Sequence, residues 1–493
     1  MVSCSISRFA LVVLCGLPWL TAACWESGTI YGGEDELGEE TPNQPPTGAR
    51  SEPSTGARSE PSTGFSGNPS TLGPGQLTVD AGGAGVGEAV STEQTVTSAN
   101  PEGAVELGTV EDSGRDCAVP ELPSATRLTA YAKHHDPFLM LDGSRITLKS
   151  EWRCRRAEIK AQVEEYESGP KPSVKREDVR AAFSNGTLTV TVSEAGKSVT
   201  FSVRISRPSG AGAAAIPGLI AYGFNSLDRG VFDQKGVATI TFNNDALGAQ
   251  RGGASRGTGV FYDLYGRDHP ASSMVAWAWG VSRVLDALEQ TPEAGIDPAR
   301  VAVTGCSRNG KGALLAGAFD ERIVLTIPQE SGAGGSSSWR VAQTQSERGE
   351  NVQTLSSAAG EQPWFRASFG PTFGGRNVTK LPFDHHMLMG LVAPRALLVI
   401  DNRIDWLGID ATYTAGSVAH AIWEAFGLSD HMGYWQTGGH AHCQFPAEQR
   451  GILEAYVRRF LASSGTGDTE VLRAQNAQAD LAAWMEWTPP DLQ

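Results

Sequence analysis

Apolar and polar positions alternate along "GTLTVTVSEAGKSVTFSVRISRP", residues 186–208. Two runs of period two, broken by a glycine-containing turn, predict a pair of antiparallel strands. "IPGLIAYG" (216–223) and "VATITFN" (237–243) are shorter and more continuously apolar, the pattern of strands buried on both faces. "SSMVAWAWGVSRVLDALEQ" (272–290) carries its apolar residues at helical spacing. "ARVAVTG" (299–305), "RIVLTIPQE" (322–330) and "RALLVIDN" (395–402) predict three more buried strands. The helical stretches "GALLAGAFD" (312–320) and "SVAHAIWEAFG" (417–427) lie between or after them. Strands alternating with helices predict an α/β fold with a mostly parallel sheet. Ligands and reactive groups gather at the carboxyl ends of such strands. Ser307, Glu330, Asp401 and Asp405 all fall at those ends.

This patterning is absent before Cys117. Residues 1–24, "MVSCSISRFALVVLCGLPWLTAAC", hold one base, a short apolar run and small residues before a cysteine. They predict an export signal rather than a membrane span. "LTAAC" resembles a bacterial lipobox, with Thr21 where leucine is commonest. Two readings stand: a lipid-anchored protein beginning at Cys24, on the cell surface or outer membrane, or a freely secreted one. Residues 25–115 are rich in Gly, Ser, Thr, Pro and Glu and contain the direct repeat "TGARSEPSTGARSEPSTG", residues 47–64. Such a stretch cannot bury enough apolar surface to offset its ordering entropy, and it predicts a disordered linker. A single globular domain is expected over residues 116–493.

Charge follows the same division. The 493 residues carry a net charge of −15. Residues 25–115 hold fifteen acids and three bases, so most of the acidity is in the linker and the globular part is close to neutral. That net charge argues against nucleic acid as a partner, since phosphate binding needs a basic face. No later run is long and apolar enough to span a bilayer.

The chemistry concentrates in "TGCSRNGKG", residues 304–312. A strand, then G-x-S, then a helix is the layout of a nucleophile elbow. Gly305 holds the first glycine position; Asn309 replaces the usual second glycine, and Gly310 follows. Asparagine tolerates unusual backbone angles, which makes this a variant of the elbow. Alone it is a weak signal that chance loops also produce.

A serine needs a base. Among the histidines, the setting of His442 in "TGGHAHCQFP" stands out, and the order serine, acid, histidine suits this fold type. "FDHHML" (383–388) reads as a buried, hydrogen-bonded histidine pair rather than a metal site, because no third ligand lies nearby in sequence. Cys117, Cys154, Cys306 and Cys443 lie beyond the leader and allow three pairings; they contain no CxxC, which argues against zinc. A Cys306–Cys443 bond would tie the serine's turn to the histidine's loop, and Cys117 and Cys154 would then pair.

"GCSRNGKGA", "PQESGAGG", "DWLG" and "GGHAHCQFP" resemble the motifs of the glucuronoyl esterases, carbohydrate esterase family 15. The similarity runs from about Cys117 to about residue 465. The resemblance implies a three-layer αβα sandwich of α/β-hydrolase type and a Ser-His-Glu triad. It also implies cleavage of esters between 4-O-methyl-glucuronic acid side chains of xylan and lignin alcohols. By motif, Ser307 is the nucleophile, His442 the base, Glu330 the acid and Arg308 the oxyanion support. Lys311, Gln353, Glu361 and Trp406 match the family's sugar contacts. Cys117–Cys154 and Cys306–Cys443 match two disulfides of the fungal branch; a third fungal disulfide has no cysteines here. Some bacterial relatives carry an acid after a later strand, which leaves Asp405 as the rival to Glu330. Ile404 stands two residues before the tryptophan, so Glu330 is the preferred assignment.

The expected activity is therefore that of a 4-O-methyl-glucuronoyl methylesterase acting through a glucuronoyl-enzyme. No metal or organic cofactor is expected, and the chain is expected to be a monomer acting on glucuronoxylan and lignin-carbohydrate esters. Two other readings compete with it. One is an esterase for acetyl or feruloyl xylan, which would not need the sugar-reading set. The other is a carbohydrate-binding protein without activity, which would not need an intact Ser-His-Glu set.

Overall fold

The computed structural model describes residues 110–465, 467–477 and 479–493. The export signal, Cys24 and residues 25–109 of the expected linker lie outside these described residues.

Ten strands among the described residues form one mixed sheet, in the order β1-β2-β3-β5-β4-β6-β7-β8-β9-β10. They are β1 (Val179–Ser184), β2 (Thr187–Glu194), β3 (Lys197–Ser206), β4 (Ile216–Tyr222) and β5 (Ala238–Phe242). Then follow β6 (Ile296–Cys306), β7 (Ile323–Gln329), β8 (Ala396–Asn402), β9 (Met432–Thr437) and β10 (Val471–Ala474). Strands β1 to β3 pair antiparallel, β3 meets β5 antiparallel, and every pairing from β5 to β10 is parallel.

The alternating run became β2 and β3. Their turn places Ala195 and Gly196 at φ 49° and 78°, the positive angles that a two-residue hairpin needs to match strand twist. The buried strands became β4 to β8. Strands β1, β9 and β10 were not foreseen, because each is short or lacks strict alternation.

Side chains alternate between two apolar layers. On β6, Val301 and Val303 join one core and Ala302 the other; on β8, Leu397 and Val399 face one side and Leu398 and Ile400 the other. The helices Ser273–Gln290 and Arg308–Phe319 contribute to the larger core, and the helix Arg450–Tyr456 to the smaller one. The result is the α/β fold with a mostly parallel sheet that the alternation predicts, built as the three-layer αβα sandwich that the resemblance implies. Ser272 caps the helix Ser273–Gln290 by accepting from Val275 N. Trp277 on that helix packs where a Cβ at Gly312 would lie only 2.6 Å from its ring, so the glycine lets the two helices approach.

The folded region starts earlier than residue 116. Glu111 reaches Lys171 and Arg283, both at 2.6 Å, and Ser113 binds Glu321. These charges are largely withdrawn from water, and Glu111 supplies the counter-charge that the buried Lys171 and Arg283 need. A compositional boundary misses this, because a few ion-pairing residues do not alter composition.

Two disulfides join Cys117 to Cys154 and Cys306 to Cys443. His385 donates from Nδ1 to Gly335 O (2.7 Å) and from Nε2 to Glu167 (3.0 Å), and His386 Nε2 donates to His135 O at 2.8 Å. The "HH" pair is thus held by hydrogen bonds within the core.

Candidate active site

Adjacent strands β6, β7, β8 and β9 end on the same edge of the sheet. Ser307 follows β6, Glu330 follows β7, Asn402 ends β8, and the loop after β9 carries His440 and His442. Sheet order therefore brings together residues far apart in sequence.

The elbow is sharp. Ser307 takes φ 60°, and its N–H donates to Gln329 O at 2.9 Å. A Cβ at Gly305 would sit 2.5 Å from Asn309 O, and one at Gly310 would sit 2.7 Å from Gln329 O. Those two glycines are required by close approach of backbone. Asn309 does something other than expected: it lies inside the helix Arg308–Phe319. Its amide joins Tyr222 O (3.2 Å) and Asn244 (3.1 Å), bracing the elbow against β4. The unusual angle belongs to the serine itself.

Glu330 and Cys443 also have positive φ, at 46° and 64°. Three of the seven non-glycine residues with positive φ among those described thus sit at this edge. Each costs on the order of 1–3 kcal/mol, and such strain gathers where geometry is over-determined.

Glu330 is 1% exposed. Its Oε2 accepts from His442 Nδ1 (2.8 Å), from the backbone N–H of Cys443 (2.9 Å) and from Asn402 Nδ2 (3.2 Å). Burial works to raise the carboxyl's pKa, but these three donors outweigh it and hold the group below its ordinary range. His442 Nδ1 is thereby fixed as the donor, and Nε2 is left as the acceptor. Among the described residues no hydrogen-bond partner meets His442 Nε2. His440 lies further off, with Nδ1 at 3.9 Å from Glu330 Oε1. Asp405 is exposed at the start of a short 3-10 helix. The carboxylate hydrogen-bonded to His442 is that of Glu330.

The disulfide Cys306–Cys443 lies against this arrangement. The two sulfurs and a ring nitrogen of His442 fall within 4.8 Å of one another. Bonded sulfurs are not thiolates, so the trio offers no metal site. It pins the histidine loop to the serine's strand instead.

The other sequence-predicted residues surround the elbow. Trp406 stands edge-on to His442, with ring centroids 4.9 Å apart, and is 37% exposed. Gln353 donates to Glu361 at 2.8 Å, and its backbone N–H binds Trp406 O at 3.0 Å. Lys311 is buried one helical turn beyond Ser307, its Nζ donating to Ser331 O at 2.6 Å. Burial pushes its ammonium down to about 8, with Glu361 opposing and Arg308 adding to the shift. Arg308 is exposed at the helix start.

Two residues that the sequence reading passed over also take part, with the strand-end Asp401 beside them. Asn402 orients Glu330. Trp364 lies under two cations, with Lys311 Nζ at 5.4 Å and Arg308 Cζ at 5.8 Å from its ring centroid. Asp401, fully buried, accepts from Ser336 at 3.1 Å; burial pushes its carboxyl up to about 7. Strand ends were a usable signal for Asn402 and Asp401. Nothing in the sequence singled out Trp364.

A serine on a strained strand-to-helix turn, a histidine and a buried carboxylate on one edge of a parallel-centred sheet define a serine hydrolase of α/β-hydrolase type. Comparison with known proteins narrows the class. The family description "Glucuronyl esterase, fungi" matches residues 190–427. The 4-O-methyl-glucuronoyl methylesterase of Hypocrea jecorina is 48% identical over 379 residues, covering 77% of this chain and 80% of that protein. The corresponding enzyme of Podospora anserina is 47% identical over 382 residues, covering 76% and 77%. The solved Hypocrea jecorina glucuronoyl esterase catalytic domain superposes with a TM-score of 0.72 over 76% of this chain and all of that one, at 48% identity. A Sporotrichum thermophile glucuronoyl esterase, solved as a serine-to-alanine mutant with methyl 4-O-methyl-β-D-glucopyranuronate, gives 0.71 over 76% of this chain and all of that one, at 42% identity. This chain belongs to the glucuronoyl esterases.

Proposed function

We propose that the protein is a secreted carboxylic ester hydrolase that cleaves 4-O-methyl-glucuronoyl esters of glucuronoxylan, including those to lignin alcohols. The observation that carries this reading is the Glu330–His442 hydrogen bond at 2.8 Å, with His442 tied to the Ser307 turn by the Cys306–Cys443 bond. Family membership supplies the substrate class. The Sporotrichum relative's complex with a methyl 4-O-methyl-glucuronate supports the uronate as the acyl group.

Ser307 Oγ attacks the ester carbonyl while His442 Nε2 takes its proton. The imidazolium is stabilised by Glu330, and the oxyanion meets the Arg308 backbone N–H and guanidinium. Each well-placed donor there is worth about 3 kcal/mol in the transition state. His442 then returns the proton to the leaving alcohol, giving a glucuronoyl-serine ester. A water, deprotonated by His442, attacks that ester and releases the uronic acid and free Ser307. Lys311, Gln353, Glu361 and Trp406 hold the sugar ring: the indole offers a flat face and an N–H, and the others offer charge and hydrogen bonds. The mechanism uses no metal or cofactor.

The folded catalytic domain is assigned to residues 111–493, acting as a monomer, with residues 1–24 as its export signal and the intervening stretch as a linker. Palmitate labelling, compared with Cys24→Ala, decides whether Cys24 carries a lipid. The substrate assignment is tested by rates on benzyl glucuronate, acetylated xylan and feruloylated xylan. A kcat/KM at least a hundredfold higher on the uronate ester is expected. A preference for acetyl or feruloyl esters overturns it.

A further inference from the structure

A second, cationic cleft lies behind the sugar-binding wall. It has a volume of about 470 Å³ and is lined by Arg256, Arg267, Arg366 and His269, with Asp268 as the acid in its rim. That volume is within the range of about 300–1,000 Å³ typical of small-ligand sites. Arg366 is matched by Glu165 at 3.6 Å. Among the described residues no carboxylate pairs with Arg256 or Arg267. Arg256 is half-buried, and one of its nitrogens donates to Phe365 O at 2.8 Å. Among the described residues, the rest of its guanidinium meets no acceptor. Arg267 is exposed on the rim.

The cleft shares a wall with the site around Lys311. A Cβ at Gly334 would meet the Phe365 ring at 2.5 Å and the Lys311 stem at 3.3 Å, so both pack on the same glycine. Phe365 therefore presents its ring toward Lys311 and its carbonyl toward Arg256. The adjacent Trp364 binds Gln250 at 2.9 Å, and Gln362 binds Gly252 at 2.6 Å, which fixes the 250–256 loop against this wall.

We propose that this cleft binds the free carboxylate of a second, unesterified uronic acid on the same polysaccharide while the ester occupies the Ser307 site. The inference rests on the glucuronoxylan reading above. A planar guanidinium with spare donors matches a carboxylate, and two such groups without acid partners favour an anion over a neutral sugar. An acidic polysaccharide would present several uronates along one chain, so engaging the second makes binding bivalent.

The test uses the full chain and two glucuronoxylan preparations. One has all its uronates benzyl-esterified; the other has a fraction esterified and the rest free. At low ionic strength the unsubstituted enzyme should show about a fivefold to tenfold higher kcat/KM per ester on the partly esterified polymer. Arg267→Glu, a rim substitution, should bring that ratio to about one or below, and added salt should erode it in the unsubstituted enzyme. Because the ratio is taken within one protein, it does not depend on the fraction folded. A ratio near one in the unsubstituted enzyme, or one that survives Arg267→Glu, overturns the proposal. Failure of the esterase reading would look different: neither polymer would be cleaved.

Discussion

Replacing Glu330 by Gln should cost the enzyme about three to four powers of ten in kcat. The substitution keeps the shape of the side chain and removes its charge. Three donors converge on Oε2, those of His442, Cys443 and Asn402, so the amide must place its oxygen there. Its new NH2 group would then face Gln329 Nε2, which now lies 3.3 Å from Glu330 Oε1. Orientation of the imidazole is thus retained, and what is lost is the anion opposite the imidazolium of the transition state. At the 2.8 Å separation of His442 Nδ1 and Glu330 Oε2, an effective dielectric near 20 gives about 6 kcal/mol of attraction. At 1.36 kcal/mol per decade, that is a ceiling of about four decades in rate. The assay is steady-state hydrolysis of benzyl glucuronate by Glu330→Gln, with Asp405→Asn beside it. Asp405 is exposed, and its substitution should change kcat by less than about tenfold. If Glu330→Gln retains kcat within tenfold while Asp405→Asn loses a hundredfold, the assignment of the acid is refuted.

Removing the Cys306–Cys443 bond by Cys443→Ala opens a span of 137 residues, worth about 5 kcal/mol in the chain-entropy account. Denaturant titration should show a loss of several kcal/mol, and kcat should fall as the histidine loop loosens; unchanged stability and kcat would contradict the account. Lys311 is a buried cation whose pKa is lowered to about 8 from an ordinary 10.5. The unfolded chain therefore binds the proton more tightly, and stability rises as pH climbs from about 8 to about 10.5. Lys311→Met should gain about 1–3 kcal/mol at pH 6.5 in urea titration, an advantage that shrinks by pH 10, while kcat/KM on the uronate ester falls at least tenfold. A variant that is less stable at pH 6.5 would refute the sign. Trp406→Ala should raise KM several-fold more than it lowers kcat; an effect confined to kcat would place Trp406 outside ring binding.

The elements that the hydrophobic pattern displayed were those buried on both faces or cleanly alternating, β2 to β8 and their helices. Strands β9 and β10 escaped because β9 reads "MGYWQT" and β10 "VLRA", too short or irregular for either period. The elbow was legible because close backbone packing demands glycine at 305 and 310. The role of Asn309 was not legible, because a side-chain bond to Tyr222 O and Asn244 leaves no trace in spacing. Glu330 was legible as a strand-end carboxylate, but its preference over Asp405 came from motif. In the fold, the 2.8 Å hydrogen bond between His442 and Glu330, beside an exposed Asp405, supports the same preference. Asn402 and Trp364 act through another residue's charge or position, and no local pattern records that.

The central claim is that Ser307 attacks the uronate ester. The direct measurement is release of uronic acid from benzyl 4-O-methyl-glucuronate by the unsubstituted protein and by Ser307→Ala, with circular dichroism to show that both are folded. The account predicts a loss of at least about four powers of ten in kcat for the variant. Equal rates from the two folded proteins would contradict it.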